Sequence, residues 1–114
     1  MSSNDELIKK EKFGQLLILY GKLLTNNIYS RMEMFYLNDY SITEIAQNEN
    51  VSRNAIFESL SHGEKQLENF ENKLKLAVKY KEIFKKIDKL STMINDENGL
   101  KIIDEIKGEL DYGI

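Results

Sequence analysis

The sequence predicts an all-α protein with a helix-turn-helix core followed by a long amphipathic helix. Three observations favour this fold class. The 114 residues contain no Pro that would interrupt a helix. Apolar residues recur at spacings of three and four along most of the chain. A tight polar turn divides two short periodic stretches between residues 41 and 62. We expect four to six helices in this one-domain length of chain.

The first predicted helix covers residues 6–24. Lysines alternate with its apolar positions, which makes the helix amphipathic. Those positions are Leu7, Phe13, Leu16, Leu17, Tyr20, Leu23 and Leu24. Thr25 then has the character of an N-cap. A second helix to about residue 37 is expected to turn Ile28, Met32, Phe35 and Tyr36 inward.

Residues 41–62 are predicted to form the helix-turn-helix. Ser41 or Thr43 is expected to cap its first helix, and Glu44 lies three residues beyond Ser41, which is the spacing of a capping box. Ala46 on the inner face of that helix is small enough to let two helices cross closely. The polar run 48–50 breaks the pattern, and Ser52 follows as an N-cap of the second helix.

The helix after Ser52 continues beyond residue 62, and its apolar stripe shifts near residues 71–75. The shift predicts a bend, a break or a change of partner face. A second stripe then repeats at spacings of four and three, which is typical of a coiled-coil seam. Its members are Leu76, Tyr80, Ile83, Ile87, Leu90 and Ile94. The seam can pack on the first helix, through residues such as Leu16, Leu17, Tyr20 and Leu24, or form an oligomer.

The chain is accordingly divided at residue 70. Residues 1–70 are predicted to form a helical domain that holds the helix-turn-helix. Residues 71–114 are predicted to form amphipathic helices that pack on this core or make an oligomer interface. A polar break at 95–99 precedes a last helix at about 99–110.

The run from Leu23 to Leu60 resembles the YlxM-like family of small bacterial helix-turn-helix proteins. The matching pieces include Leu24-Thr25, the run from Phe35 to Ser41, Glu44-Ile45-Ala46 and the run from Val51 to Ala55. The resemblance covers about residues 16–75. It implies an association with the signal recognition particle pathway, since the family's gene tends to sit beside that of the particle's GTPase.

The same region is similar to region four of bacterial sigma factors, which implies a fold of the winged-helix-like DNA-binding superfamily. In that region the second helix reads promoter DNA. The sequence departs from the family pattern at Glu49 and Asn50, where an apolar residue and then Gly or a similar turn residue are usual. The departure predicts a less compact turn.

The recognition helix, residues 52–65, is the first candidate binding site. Its outward or flanking residues are Ser52, Arg53, Asn54, Phe57, Ser61 and Lys65. Ser52 and Arg53 could hold a phosphate at the helix N-terminus. Asn54 could pair with an adenine edge, and Phe57 could touch a thymine methyl. In the structural alternative Ser52 is only a cap, Arg53 pairs with a carboxylate and Phe57 packs on a neighbouring helix.

The negative charge of the chain, and of residues 25–62 in particular, argues against DNA binding by a single copy of the helix-turn-helix. The whole chain has a formal charge of −3. Residues 25–62 hold two arginines against five acids, whereas DNA binders normally present a basic stripe. A second candidate surface is the basic face of the following helix, which could meet RNA phosphates or simply be solvated. Its residues are Lys75, Lys79, Lys85, Lys86 and Lys89.

Composition disfavours catalysis, cofactors and metals. The chain has no Cys and a single His, His62, so thiolate chemistry and His-based metal sites are not expected. Adjacent carboxylates such as Asp104 and Glu105 point in different directions on a helix and form no acid–base pair. No apolar run is long enough for a membrane span. We therefore expect a cytoplasmic protein that is not an enzyme.

Two functions follow as hypotheses. The first, implied by the resemblance, is a regulatory or accessory protein that binds the signal recognition particle's protein or RNA. The second is a dimeric transcription regulator. It would place residues 52–65 in the major groove and use residues 76–94 as the dimer seam, with recognition helices about 34 Å apart. A homodimer that serves only as a scaffold is a third possibility.

Overall fold

A computed structural model describes residues 3–110, which form six α-helices and no strands. The all-α prediction is confirmed. The α-helices are α1 (Ser3–Tyr20), α2 (Asn26–Met32), α3 (Ile42–Glu49), α4 (Arg53–Leu74), α5 (Leu76–Ser91) and α6 (Glu97–Glu109). A 3₁₀ turn (Gly21–Leu23) follows α1, and a π-helical turn (Glu33–Leu37) extends α2. The last helix starts two residues earlier than predicted because Asp96, not a later residue, caps it. Residues 111–114 of the predicted C-terminal part lie outside the described residues.

Local capping sets the start of α2, α3 and α4 where the sequence predicts. Thr25 caps α2 and Ser52 caps α4 through their hydroxyls. At α3 the capping box is complete: the Ser41 hydroxyl accepts from the Glu44 amide at 3.0 Å, and the Glu44 carboxylate accepts from the Ser41 amide at 2.9 Å. These hydrogen bonds lower the pKa of Glu44. The helix starts are therefore encoded locally.

The turn between α3 and α4 is closed by two hydrogen bonds of the Schellman type. The Val51 amide donates to the Ala46 carbonyl at 3.0 Å, and the Asn50 amide donates to the Gln47 carbonyl at 3.3 Å. Asn50 adopts the left-handed conformation, with φ 56°. The prediction of a less compact turn is wrong, because Asn tolerates the conformation that Gly usually supplies.

The core lies where α1, α2, α3 and α4 meet. Its buried members are Phe13, Leu16, Leu17, Tyr20, Leu24, Met32, Tyr36, Ile45, Ala46, Ile56, Leu60 and Leu67. Ala46 is 4% exposed, as expected for a close crossing of α3 and α4. Leu7 and Leu23, which carry the same periodicity as the buried residues of α1, are exposed instead. The helix-turn-helix is thus a rigid part of one apolar core.

Gly63 marks the closest approach of α2 to α4. A Cβ built on Gly63 would overlap the Met32 Sδ and stand 2.9 Å from the Ile28 Cγ2. Both Gly63 and Met32 are buried. The crossing therefore requires a residue without a side chain at this point of the recognition helix.

A backbone break separates α4 from α5 at Lys75, whose φ of 55° is left-handed. The predicted shift of the apolar stripe near residues 71–75 is confirmed as this break. The long amphipathic helix that was predicted is therefore two helices. They are α4, with 22 residues, and α5, which begins after the break. The division of the chain into domains at residue 70 stays a prediction.

A small polar network fixes the start of α5 to the core. The Tyr20 hydroxyl donates to the Glu71 Oε1 at 2.6 Å and accepts from the Leu76 amide at 3.1 Å. Glu71 also accepts from the amides of Ala77, at 3.0 Å, and Val78, at 3.3 Å. A carboxylate from α4 thus caps α5 in place of an N-cap side chain, where the helix dipole favours negative charge.

We expect Glu71→Ala to loosen the attachment of α5. The change leaves Tyr20 and two helix amides without their acceptor, and hydrogen bonds to a carboxylate typically contribute about 1.5–3 kcal/mol. Amide hydrogen exchange at residues 76–78 should accelerate at least tenfold. Glu68→Ala is the matched control, because the Glu68–Lys12 pair is 3.9 Å long and half exposed. Equal exchange in both variants would contradict the role of Glu71.

Stability should also fall at high pH. Burial and the hydrogen bond to Glu71 raise the pKa of Tyr20 from 10.0 to about 12. The neutral phenol is therefore favoured by folding, and its contribution is complete below pH 10 and lost as the pH rises towards 12. In urea unfolding, the stability advantage of the wild type over Tyr20→Phe should shrink between pH 9 and pH 11.5. A constant difference would contradict this expectation.

The helices α5 and α6 form a hairpin, here called the arm, that extends from the core. The Cα extents are 57 × 27 × 27 Å, and the radius of gyration is 17.5 Å against about 13 Å for a compact chain of this length. Of the predicted seam Leu76 packs against the core, together with the neighbouring Ala77, whereas Ile83 and Leu90 are exposed. The prediction that the whole seam packs on α1 is therefore wrong, because the break at Lys75 directs α5 away from the core.

Candidate functional site: a groove beside the recognition helix

The N-terminal half of α4 presents most of the predicted recognition residues to solvent. Ser52, Arg53, Asn54, Phe57 and Lys65 are exposed, whereas Ser61 is half-buried. Within residues 3–110 Arg53 makes no ion pair, and the Phe57 side chain is 57% exposed. Arg53 therefore has no carboxylate partner among the described residues, and Phe57 is only partly covered where it lines a groove with residues of other helices. Their roles in binding stay a prediction.

An apolar groove of about 690 Å³ lies between the start of α1, the π-helical turn, the start of α3 and the outer side of α4. Its apolar lining consists of Leu7, Phe35, Tyr36, Ile42, Phe57 and Leu60. Leu7, at 64% exposure, and Phe57 stand on opposite sides of the opening. The groove was not predicted from the sequence. The available signal is the apolar pair Leu7-Ile8, which four charged positions, residues 9–12, separate from the core residue Phe13.

The polar groups at the groove hold its walls in place. The Tyr36 hydroxyl donates to Glu64, which also pairs with Lys9 at 3.5 Å. Burial and this hydrogen bond raise the pKa of Tyr36 well above its usual range. Lys10 pairs with Asp39 at 3.6 Å and lies 4.7 Å above the Phe35 ring. The lysines at the rim are thus already engaged with groups of this chain.

Internal pairing leaves the helix-turn-helix surface short of free positive charge. Arg31 donates to Glu49 at 3.0 Å and to the Ser59 hydroxyl at 2.6 Å, and its side chain is 11% exposed. Of the two arginines in residues 25–62, only Arg53 is therefore free to meet a ligand within the described chain. Glu58, one turn further along α4, is exposed and has no ion pair with a described residue.

The predicted basic face lies on the arm, away from the groove. Its residues Lys75, Lys79, Lys85, Lys86 and Lys89 are all exposed. None of them forms an ion pair with another residue in the described range 3–110. The structure therefore separates two surfaces. One is the apolar groove, lined by two lysines and two glutamates as well as apolar residues, and the other is the basic face of the arm.

The described residues hold no group of three or more His, Asp or Glu side chains that could bind a metal ion. Among those same residues, no helix combines the length and apolar character needed to cross a bilayer. The predictions of a cytoplasmic location and of a protein without catalytic activity stay predictions.

A short helix, a closed turn and a capped second helix with an exposed outer face define a helix-turn-helix protein. Residues 7–107 match the UPF0122 family, described as "Putative helix-turn-helix protein, YlxM / p13 like". The chain belongs to this family, and the predicted resemblance is confirmed. The family description names a structural motif and no catalytic activity.

Relatives in several bacteria are similar along most of their length. The UPF0122 protein of Thermoanaerobacter sp. (strain X514) is 40% identical over 99 residues, which cover 81% of this chain and 85% of the relative. That of Oceanobacillus iheyensis is 36% identical over 101 residues, or 89% and 96% of the two chains. That of Clostridium acetobutylicum is 38% identical over 104 residues, or 85% and 90%. The family match over residues 7–107 includes the helix-turn-helix and most of the arm.

Proposed function

We propose that the protein is an accessory factor of the signal recognition particle pathway that binds the particle's protein through the groove. The exposed Phe57 beside the groove carries this proposal. A large aromatic side chain that the chain leaves in solvent, next to a preformed apolar depression, is typical of a protein-binding anchor. The choice of pathway rests on the family resemblance of residues 16–75.

The dimensions and charge of the groove favour an amphipathic helix with basic flanks as the bound segment. The apolar lining offers a continuous floor for residues at helical spacing, which is how helix-in-groove partners are held. Glu6 lines the groove and is exposed, and Glu58, which follows Phe57 in the sequence, is also exposed. Neither residue has an ion pair within residues 3–110. These carboxylates would attract a positively charged segment and repel a nucleic-acid backbone.

DNA binding by a dimer is the second candidate, and the free Arg53 favours it. Ser52, the N-cap of α4, and the first helical residues Arg53 and Asn54 are exposed. A phosphate there could accept hydrogen bonds from backbone amides. The surface of the unit supplies a single free arginine, however, and the salt-dependent affinity of DNA binders comes mainly from many such contacts. This candidate therefore requires two copies acting together.

A titration against three purified targets tests the class of partner. The targets are the particle's GTPase, its RNA and duplex DNA from the same organism, at near-physiological salt. We expect saturable binding to the GTPase, and DNA binding no tighter than the non-specific range of about 0.1 mM to 1 µM. Sequence-selective DNA binding that Arg53→Ala abolishes would support the regulator instead. Tight binding to the RNA alone would indicate that the binding site is the set of lysines on the arm and not the groove.

We expect Phe57→Ala to weaken binding to the GTPase at least tenfold, about 1.4 kcal/mol. The substitution removes an exposed ring and should leave the core intact. Val78→Ala is the matched control, because Val78 is an exposed apolar residue on the arm, remote from the groove. Isothermal titration calorimetry of both variants measures the effect. Equal affinities for Phe57→Ala and the wild type would place the binding site elsewhere.

A further inference from the structure

The arm carries two apolar faces that the described chain leaves uncovered. On α5, Ile83 and Leu90 belong to the seam and are 43% and 42% exposed, whereas Tyr80 and Ile87 are half-buried. On α6, Ile102 is 56% exposed and lies four residues before Ile106. No residue of α5 is fully buried. On α6 the one described residue that is fully buried is Ile103, at 3% exposure, so the hairpin alone buries little apolar surface.

Charged residues of opposite sign flank the two open faces. Lys79 and Lys86 lie four residues before and three residues after Ile83, so they border the open face of α5. Glu105 and Glu109 lie three and seven residues after Ile102, so they border the open face of α6. None of these four residues forms an ion pair with any residue from 3 to 110.

The net charges of the helices follow the same division. Helix α5 carries five lysines against two acids, a net charge of +3, and α6 carries four acids against two lysines, a net charge of −2. Within one chain, the two helices form an ion pair between Lys107 of the acidic α6 and Asp88 of the basic α5, at 2.8 Å. This pair involves neither the lysines of α5 nor the acids of α6. The lysines of α5 and the acids of α6 therefore remain available to a partner that presents acids to α5 and lysines to α6.

We propose that a second copy of this chain covers the arm, so that two arms form a four-helix bundle. In this bundle the open face of α5 packs on the open face of α6 of the other copy. The partner's lysines then meet Glu105 and Glu109, and its glutamates meet Lys79 and Lys86. The two contacts are identical, because a two-fold axis relates the copies. In each contact the basic α5 of one copy meets the acidic α6 of the other. This proposal does not rest on the groove or its partner.

The charge pattern also selects the orientation of the two arms. Packing α5 against the partner's α6 alternates basic and acidic helices around the bundle, and every neighbouring pair is antiparallel. The two-fold axis then runs along the bundle, which places both helix-turn-helix units at one end and both arm tips at the other. The reverse orientation would bring two α5 helices of charge +3 together, and like charges at that distance repel.

Mass and crosslinking test the dimer and its orientation. Light scattering after size exclusion should give twice the chain mass of 13.3 kDa at 100 µM protein. The chain has no Cys, so Met93→Cys places a single thiol at each exposed arm tip. Mild oxidation should link the two copies of this variant. A monomeric wild type would overturn the proposal, and a dimer that Met93→Cys fails to crosslink would overturn the orientation.

Charge reversal distinguishes the proposed contact from a general loss of folding. Lys79→Glu with Lys86→Glu should raise the dimer dissociation constant at least tenfold, and Glu105→Lys with Glu109→Lys should do the same. Mixing the two variants pairs each reversed face with its complement, so the mixture should recover wild-type affinity. Because all four residues are exposed, helix content by circular dichroism should not change. Failure of the mixture to recover would overturn the contact.

Discussion

Gly63→Ala is expected to destabilise the protein by about 1–3 kcal/mol, although Ala is ordinarily the better helix former. The new Cβ would overlap the Met32 Sδ and approach the Ile28 Cγ2 to 2.9 Å. Met32 is fully buried, so its side chain can move only by repacking against its core neighbours. Either this repacking or a shift of the recognition helix away from α2 is needed, and both loosen the core. Thermal unfolding should show a lower Tm, by several degrees.

Gly108→Ala is the matched control for this prediction. Gly108 lies in α6, and no atom stands within 4 Å of the position that its Cβ would occupy. The same substitution there should have no steric cost and should stabilise the helix by up to about 1 kcal/mol. If the two variants change Tm in the same direction, the close crossing at Gly63 is not the constraint described above.

Arg31→Ala is expected to destabilise the protein by about 2–3 kcal/mol. Arg31 connects three helices, since it lies on α2 and donates to Glu49 on α3 and to Ser59 on α4. Its removal leaves a largely buried carboxylate and a hydroxyl without their donor, and removing one partner of a buried ion pair typically costs about 3–5 kcal/mol. Because Glu49 keeps some exposure, we expect a smaller value.

Arg53→Ala is the control for the charge and length of the side chain. Arg53 is exposed and has no ion pair within residues 3–110, so its removal should change the free energy of unfolding by less than about 0.5 kcal/mol. Chemical denaturation of the two variants gives the comparison. A stability loss for Arg31→Ala no greater than that for Arg53→Ala would contradict the bridging role of Arg31.

The sequence predicts those features of the fold that depend on neighbouring residues. Thr25, Ser41 and Ser52 start their helices as expected because a cap needs only its own hydroxyl and an amide three residues later. The break at Lys75 is predictable because the apolar stripe changes face there. The position of the turn at Asn50 is predicted correctly, but the two hydrogen bonds that close it are not.

Features that depend on distant helices could not be predicted in this way. Leu7 and Leu16 carry the same kind of periodicity, yet α4 covers only the part of α1 that holds Leu16. Glu71 caps α5 only because the left-handed Lys75 brings the next helix back beside its carboxylate. The groove and the arm arise from such long-range contacts. Local pattern therefore defines the helices but not the surfaces between them.

The central claim is that the groove beside the recognition helix binds a protein. The most direct measurement is a two-dimensional amide NMR titration of the labelled chain with the unlabelled particle GTPase. We predict that signals of Leu7, Ile42 and Phe57 shift or broaden first, while those of Arg53 and Asn54 respond less. Unchanged groove signals, together with changes at Arg53 and Asn54 on addition of duplex DNA, would contradict the claim and identify a DNA reader.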